Sequence, residues 1–530
     1  MKDQLKTLYK KAHRMTRATA SLALATLAIT FATSCTDVWN EHFDTANKLR
    51  ASDKTLWEEI CSHPELDGFR KILEQTGCDR ELDGDQMFTV FAPQGAISTE
   101  GLTVDGMRDE IAYNHIARFA TSANNELKEP RSIMLMNDKM GEFASESGTY
   151  TFSGQPLVKQ NILAKNGVLH IIGGQIPFFC NVWEYMDKDT LYSSIRDYLY
   201  SFNEIELNEE ASVAGAVVDG QITYVDSVTV NTNEMFYRLG QLNDEDSTYW
   251  MILPTNKAWE KAYRKVSSYY NYSTKNAARD SLQRHYTQMA MVSDLVFSHT
   301  MQRTPEDSII STNKNVFYSP LSTLLPEYGS FADGIECSNG RVYPVDTLRY
   351  NPWESWHSEI QVEAENTRGR EYTLCELYKR TLNASSPYYK KVSDASYIET
   401  VPSTTSSNPS VTFSIPDVLS AKYDIKAVFL PQSLGVDKSN ADKPNKLLCN
   451  LSTIDANGKS VTIKSDNIYT NPAVIDTVTL FSGYTFETCN YDEETVSTKL
   501  KILSQVTSKD RANYSRTLLI DCIIFEPAKE

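Results

Sequence analysis

Histidine is scarce in this chain, eight in 530 residues, and basic residues are outnumbered by acidic ones, 52 to 69. The cysteines show no CxxC spacing of the kind that builds a zinc site. GxSxG, HExxH, P-loop and Rossmann signatures are all missing. These absences leave no metal, cofactor or nucleophile centre to be read from the sequence. A carboxylate pair of the glycoside-hydrolase kind stays open, because such a pair is defined by separation in space and not by sequence spacing. After residue 34 no apolar run approaches the roughly 20 residues of a membrane span.

What is present begins with a three-part leader. Lys2, Lys6, Lys10, Lys11, Arg14 and Arg17 precede an apolar run from Ala18 to Thr33. At about 16 residues, that run is short for a stable span but suits a secretory signal. It leads into Ala32-Thr33-Ser34-Cys35. These residues resemble a bacterial lipobox in the loose form common in the Bacteroidetes, with Ala32 where leucine is usual. The resemblance implies a signal peptide over 1–34, cleavage before Cys35, and lipid on Cys35 as the only membrane attachment. Asp37, Glu41 and Asp44 in the tether, 35–51, resemble the surface-export signals of such lipoproteins. They imply an outer-membrane protein facing the cell exterior. The leader holds six basic residues and one acidic residue, leaving 46 and 68, a mature net charge of −22. So acidic a surface repels phosphate backbones and argues against nucleic acid as a partner.

Eight further cysteines are spread from Cys61 to Cys522. Apolar settings such as Leu447-Leu448-Cys449 and Cys522-Ile523-Ile524 favour buried thiols over disulfides. The even count leaves pairing open.

In the first globular segment, Leu56, Ile60, Phe69 and Leu73 have helical spacing interrupted near Pro64, which predicts two short helices. Met87–Pro93 reads as a buried strand stopped by proline. A further helix is expected to carry Ile111, Ala112, His115 and Ile116. Asn166-Gly167, between two apolar strands, is a strong hairpin signal. Thr89–Ile97 (TVFAPQGAI), Tyr113–Ile116 (YNHI) and Asn166–Phe178 (NGVLHIIGGQIPF) resemble, in order and spacing, the conserved blocks of the fasciclin or FAS1 domain. The resemblance implies an α+β fold over 52–185 and a structural central histidine. Gln94-Gly95 departs from the family's usual polar pair, which weakens the helix cap after the proline. His115 and His170 have no nearby nucleophile or carboxylate cluster, so buried hydrogen bonding is the expected role for each.

A second copy follows over 186–355. Tyr249–Trp259 (YWMILPTNKAW) aligns with the first block and carries the usual Thr255-Asn256 pair. Leu295–His299 stands in for the Tyr-His element, and Asn339–Asp346 for the last block, with Tyr343 in place of His170. An insertion from Glu206 to Asn231 contains the alternating stretch Gln221–Val225, an added hairpin. Tyr269, Tyr270 and Tyr272 are candidates for a flat aromatic surface toward a sugar or a protein, the alternative being packing onto the same domain.

Residues 356–530 show short strands with turn signals, which predict an all-β sandwich. Tyr423–Phe429 is an alternating strand, and Asn457-Gly458 is a hairpin turn. The opening VEAEN and closing IDCIIFEP strands resemble those of jelly-roll, galactose-binding-like modules, a fold that often binds carbohydrate. Trp353, Trp356, Tyr388, Tyr389 and Tyr484 are the candidate stacking platforms, the alternative for Trp353 and Trp356 being packing in the interdomain linker.

The layout resembles accessory lipoproteins of glycan-uptake systems with SusC/SusD-type transporters. It implies a non-catalytic, adhesive or polysaccharide-binding protein with no cofactor. The rival readings are a structural subunit on an envelope transporter and, less favoured, a glycoside hydrolase.

Overall fold

A computed structural model describes residues 52–123, 129–146, 149–218, 221–349 and 351–528, so the leader, Cys35 and the tether lie outside the described residues. The chain divides into two compact units, Met1–Phe178 and Phe179–Glu530.

In the first unit, Thr55 and Glu58 form a reciprocal capping box that starts the helix Leu56–Cys61. A 3₁₀ turn at Pro64–Leu66 turns the chain into the helix Asp67–Thr76, which Gly77 ends in the left-handed conformation. Both helices pack onto one seven-stranded sheet. Its strands are β1 (Phe88–Pro93), β2 (Ile116–Arg118), β3 (Arg131–Met134), β4 (Met140–Glu146), β5 (Thr149–Phe152), β6 (Gln155–Ala164) and β7 (Gly167–Ile172). They lie in the order β2-β1-β7-β6-β5-β4-β3. Fully buried β1 runs parallel to β7, and a hairpin joins β6 to β7 as expected, with Lys165-Asn166 in the turn and Gly167 already paired with Ala164. The helix expected through Ile116 ends earlier. A π turn at Arg108–Ala112 tightens to a 3₁₀ turn at Tyr113–His115, and Ile116 opens β2 because its backbone pairs with Val90. No helix follows Pro93 directly; the next begins at Val104 under a Thr103 cap.

His115 and His170 are fully buried, and their partners fix their tautomers. His115 Nδ1 faces the Ile111 carbonyl at 2.7 Å, while Nε2 accepts from the Ile176 N–H at 3.0 Å. His170 is the mirror case: Nε2 faces the Thr121 carbonyl at 2.9 Å and Nδ1 accepts from the Asn161 N–H at 3.3 Å. A carbonyl only accepts and an amide only donates, so each ring is neutral with one defined proton. Burial lowers both pKa values to about 4. Between about pH 6.5 and 4 the unfolded chain therefore binds protons that the folded unit refuses. Stability rises with pH through that window and is lost on acidification, by up to about 3 kcal/mol per histidine. Chemical denaturation of the first unit at stepped pH should show this loss, and His170→Gln should flatten it by about half.

The second unit opens with a lobe built on the same plan. Its strands are β8 (Asn203–Leu207), β9 (Val213–Val218), β10 (Gln221–Asp226), β11 (Thr229–Asn233), β12 (Tyr249–Pro254), β13 (Val296–Ser298), β14 (Ser308–Ile310), β15 (Val316–Tyr318), β16 (Ile335–Cys337) and β17 (Gly340–Val345). β12 runs parallel to β17 with Tyr249 facing Gly340, as Phe88 faces Gly167, and antiparallel to β13, as β1 does to β2. Asn339 repeats the bonding of Asn166. Each donates to two carbonyls (Leu242 and Asp244; Leu82 and Gly84) and accepts one N–H (Val182; Leu56). Thr255 caps the helix Asn256–Ser267 through the Ala258 N–H.

The register corrects one expected alignment. Val296 pairs with Met251 as Ile116 pairs with Val90, so Leu295, and not His299, occupies the position of His115. The preceding residue, Asp294, is a buried carboxylate that accepts from Ser311, Asn315 and Ser355.

The remainder is a two-sheet sandwich of β18 (Ile360–Glu363), β19 (Glu371–Thr373), β20 (Cys375–Thr381), β21 (Ser396–Pro402), β22 (Ser410–Ser414), β23 (Lys422–Phe429), β24 (Lys446–Ile454), β25 (Ser460–Lys464), β26 (Ile468–Tyr469), β27 (Asp476–Thr485), β28 (Lys499–Ser504) and β29 (Leu519–Pro527). One sheet runs β20-β21-β29-β23-β27 with β18 beside β29; the other runs β19-β22-β28-β24-β25 with β26 beside β24. The fold is thus α+β in its two lobes and all-β beyond them. The expected boundary at 355/356 does not separate two units, because a single apolar core runs from the second lobe into the sandwich. The eight described cysteines are free thiols, and all but Cys61 are buried.

Candidate functional site

Of the proposed aromatic platforms, most are used in packing. Tyr270 and Tyr272 are each 3% exposed. Tyr272 Oη donates to the Tyr491 carbonyl at 2.9 Å, and Tyr270 stands edge-on to the Tyr491 ring. Tyr269 and Trp356 meet edge to face, with ring centroids 4.5 Å apart. These rings cement the second lobe to the sandwich, so the packing crosses to the sandwich instead of staying within one domain; Tyr270 and Tyr272 are closed to a ligand, while Tyr269 and Trp356 are half-buried. Tyr484 stands edge-on to Phe486, Tyr388 joins a small cluster with Val392 and Leu430, and Trp353 is half-buried. Tyr389 alone among them is exposed.

The sandwich offers a different surface. Along β24, Leu447, Cys449 and Leu451 point into the core, so Lys446, Leu448, Asn450 and Ser452 point outward. β28 alternates in the same way, with Leu500 and Ile502 inward and Lys499, Lys501 and Leu503 outward. Strand pairing then sets Thr412, Lys501, Asn450 and Lys464 in one row across four strands. Lys499, Ser452 and Thr462 form the next row. At one end Tyr469, half exposed, meets Tyr514 with ring centroids 5.7 Å apart, and the Lys446 ammonium lies 5.9 Å from the Tyr514 ring. Lys446 also pairs with Asp510 at 3.2 Å, and Lys499 with Glu371 at 2.9 Å. The result is an open sheet face carrying hydroxyls, an amide, four lysines and an aromatic pair. None of these residues was singled out from the sequence. The visible signal was Lys499-Leu500-Lys501-Ile502, a strand alternating lysine with apolar residues.

The other sheet carries a cleft of about 320 Å³ lined by Gln361, Lys390, Lys391, Ser393, Thr477 and Asp521, among others. Asp521 accepts the Ser393 N–H at 3.2 Å, and Glu363 accepts the Ser393 hydroxyl at 2.7 Å. Burial, reinforced by Glu363, Glu365 and Asp394, raises the Asp521 pKa to about 7 despite the Ser393 bond. The side-chain oxygens are of the kind a hard cation prefers, but Lys390, Lys391 and Cys522 share the lining with them. Among the described residues, however, no three His, Cys, Asp or Glu side chains converge on a metal position. The folded state holds the Asp521 proton between about pH 4 and 7 while the unfolded state releases it, so stability falls as pH rises through that window. Asp521→Asn should therefore stabilise the second unit at pH 8, by as much as about 4 kcal/mol in chelator-containing buffer, with the gain vanishing near pH 4. Paired thermal melts at the two pH values check this.

Residues 64–175 match the Fasciclin domain family. Human Stabilin-1 is 27% identical over 139 residues, 23% of this chain and 5% of Stabilin-1, so the chain spans a small fraction of that relative. Among solved structures, the FAS1 domain pair of the insect cell adhesion molecule Fasciclin I is 13% identical, covering 56% of this chain and 97% of its own, with a TM-score of 0.18. The CBM22-1 xylan-binding domain of Paenibacillus barcinonensis Xyn10C is 16% identical, covering 32% of this chain and 95% of its own, with a TM-score of 0.20. No described helix is long and apolar enough to cross a membrane.

Proposed function

We propose that this chain is a non-catalytic binding protein, held on the outer face of an outer membrane by lipid on Cys35, whose sandwich takes a carboxylate-bearing polysaccharide on the outer face of β24 and β28. The observation that carries this reading is the row of Lys501, Asn450 and Lys464 on an open sheet face of an otherwise acidic chain. Two of the four lysines are matched by Asp510 and Glu371, which leaves Lys464 and Lys501 to face a ligand's anionic groups. Asn450 and the hydroxyls suit sugar hydroxyls, and Tyr469 suits the apolar face of a ring. The fasciclin match over 64–175 supports adhesion as the wider role. The glycan-uptake setting rests on the leader and tether residues.

An exposed ammonium–carboxylate pair contributes at most about 1 kcal/mol. Useful affinity therefore comes from repeated contacts along a polymer, and salt should weaken it. In native gels containing polygalacturonate, the mature chain should be retarded. The Lys464→Ala/Lys501→Ala double variant should lose about tenfold in affinity. Equal retardation of both proteins, or of neither, would overturn the assignment of this face.

A further inference from the structure

The ribbon formed by β8–β11 is not part of the lobe's core. In the first unit the helix Asp67–Thr76 is joined to the helix Cys78–Leu82 by Gly77 alone. In the second unit the corresponding helices, Ser193–Tyr200 and Phe236–Leu239, are separated by the whole ribbon. The first lobe closes without such an insertion, so the fold does not require it. The base is nonetheless firmly set. Buried Asn233 donates to the Leu199 carbonyl at 2.9 Å and to Asn203 at 2.7 Å, and accepts from the Met235 N–H at 2.8 Å. Midway, Asn208 N–H donates to the Val228 carbonyl at 2.8 Å, and the Ser212 hydroxyl accepts from the Val228 N–H at 2.8 Å. Among the described residues β8 pairs only with β11, and β9 only with β10, so both long edges of the ribbon are open there.

Its composition is unusual for an exposed hairpin. Ile205 is 75% exposed and Val225 80%, and Leu207, Val213, Val228 and Val230 are exposed as well. From Asn203 to Asn233 the chain has six acidic residues, Glu204, Glu206, Glu209, Glu210, Asp219 and Asp226, and no lysine or arginine. Open strand edges with exposed aliphatics pair with other chains unless something prevents it. Here uniform negative charge prevents pairing between two copies and repels both an anionic glycan and an anionic membrane.

We infer that this ribbon is a docking arm for a protein partner whose contact strand or groove is basic and apolar, taken by strand addition along an open edge. The charge selects the partner and the aliphatics fill its apolar positions.

A peptide of about ten residues alternating lysine and valine, with a glutamate–valine counterpart, serves as the probe. The comparison protein is the full chain with residues 204–232 replaced by Asn-Gly, which suits a two-residue turn between the paired Asn203 and Asn233. Its melting temperature reports whether the lobe still folds. By fluorescence anisotropy the lysine–valine peptide should bind the native chain at least about tenfold more tightly than the arm-shortened chain, and lose that margin in high salt. The glutamate–valine peptide should not bind. Glu204→Lys/Glu206→Lys/Asp226→Lys, which keeps the arm, should remove the margin. Equal binding to the shortened chain, binding of the glutamate–valine peptide, or a margin that survives charge reversal would each overturn the inference.

Discussion

Gly340→Ala is expected to unfold the second unit's lobe, at a cost of at least about 4 kcal/mol. The backbone there has φ +145°, and an added Cβ would lie 1.8 Å from the Tyr249 carbonyl oxygen. That oxygen belongs to β12, the central strand running parallel to β17, so neither side can yield without breaking the ladder. Gly167 is its counterpart in the first unit, with φ +152° and an added Cβ 2.0 Å from the Phe88 carbonyl oxygen. Gly95 supplies the control. It also has positive φ, but no heavy atom lies within 4 Å of the added carbon, so its alanine variant should cost only about 1 kcal/mol. Trp183, Trp250 and Trp259 report on the second lobe, and their emission on denaturant titration distinguishes the variants.

The second large effect concerns the join between lobe and sandwich. Residues 356–530 produced alone should be loosely packed and prone to aggregate, whereas 179–530 should unfold in one transition. Cutting at 355/356 strips Tyr269, Tyr270 and Tyr272 from Trp356, His357 and Tyr491, and opens the core that surrounds Cys489 and Tyr423. It also removes the donors Asn271, Tyr272, Asn276 and Tyr286 from Glu487, Tyr491, Glu493 and Asp492. Within the intact unit, Tyr272→Ala should cost about 3 kcal/mol, since it removes a buried ring together with its hydrogen bond. A sandwich that melts cooperatively on its own, at the temperature of 179–530, would contradict the shared core.

Local sequence signals carried the lobes well, because their turns and caps are short-range. Asn166-Gly167 and Asn339-Gly340 mark the entry to each parallel strand, and Thr255 marks a helix start. The departure at Gln94-Gly95 likewise coincides with the missing helix after Pro93. Positions set by long-range pairing were harder. His299 looked like the partner of His115 by composition, yet the strand register puts Leu295 there. The Tyr269–Tyr272 cluster was legible as an amphipathic surface but not as an interface, because a stripe of rings does not reveal what covers it. The lysine face was invisible for a related reason. Lys464 and Lys501 are 37 positions apart, and only the pairing of β25 and β28 with β24 places them in one row.

The most direct test of the binding assignment is calorimetric titration of the mature chain with polygalacturonate and with the same polymer after its carboxylates are reduced to alcohols. Binding to the native polymer, weakened by salt and lost on reduction, is the predicted result. Equal binding to both polymers, or to neither, would contradict it.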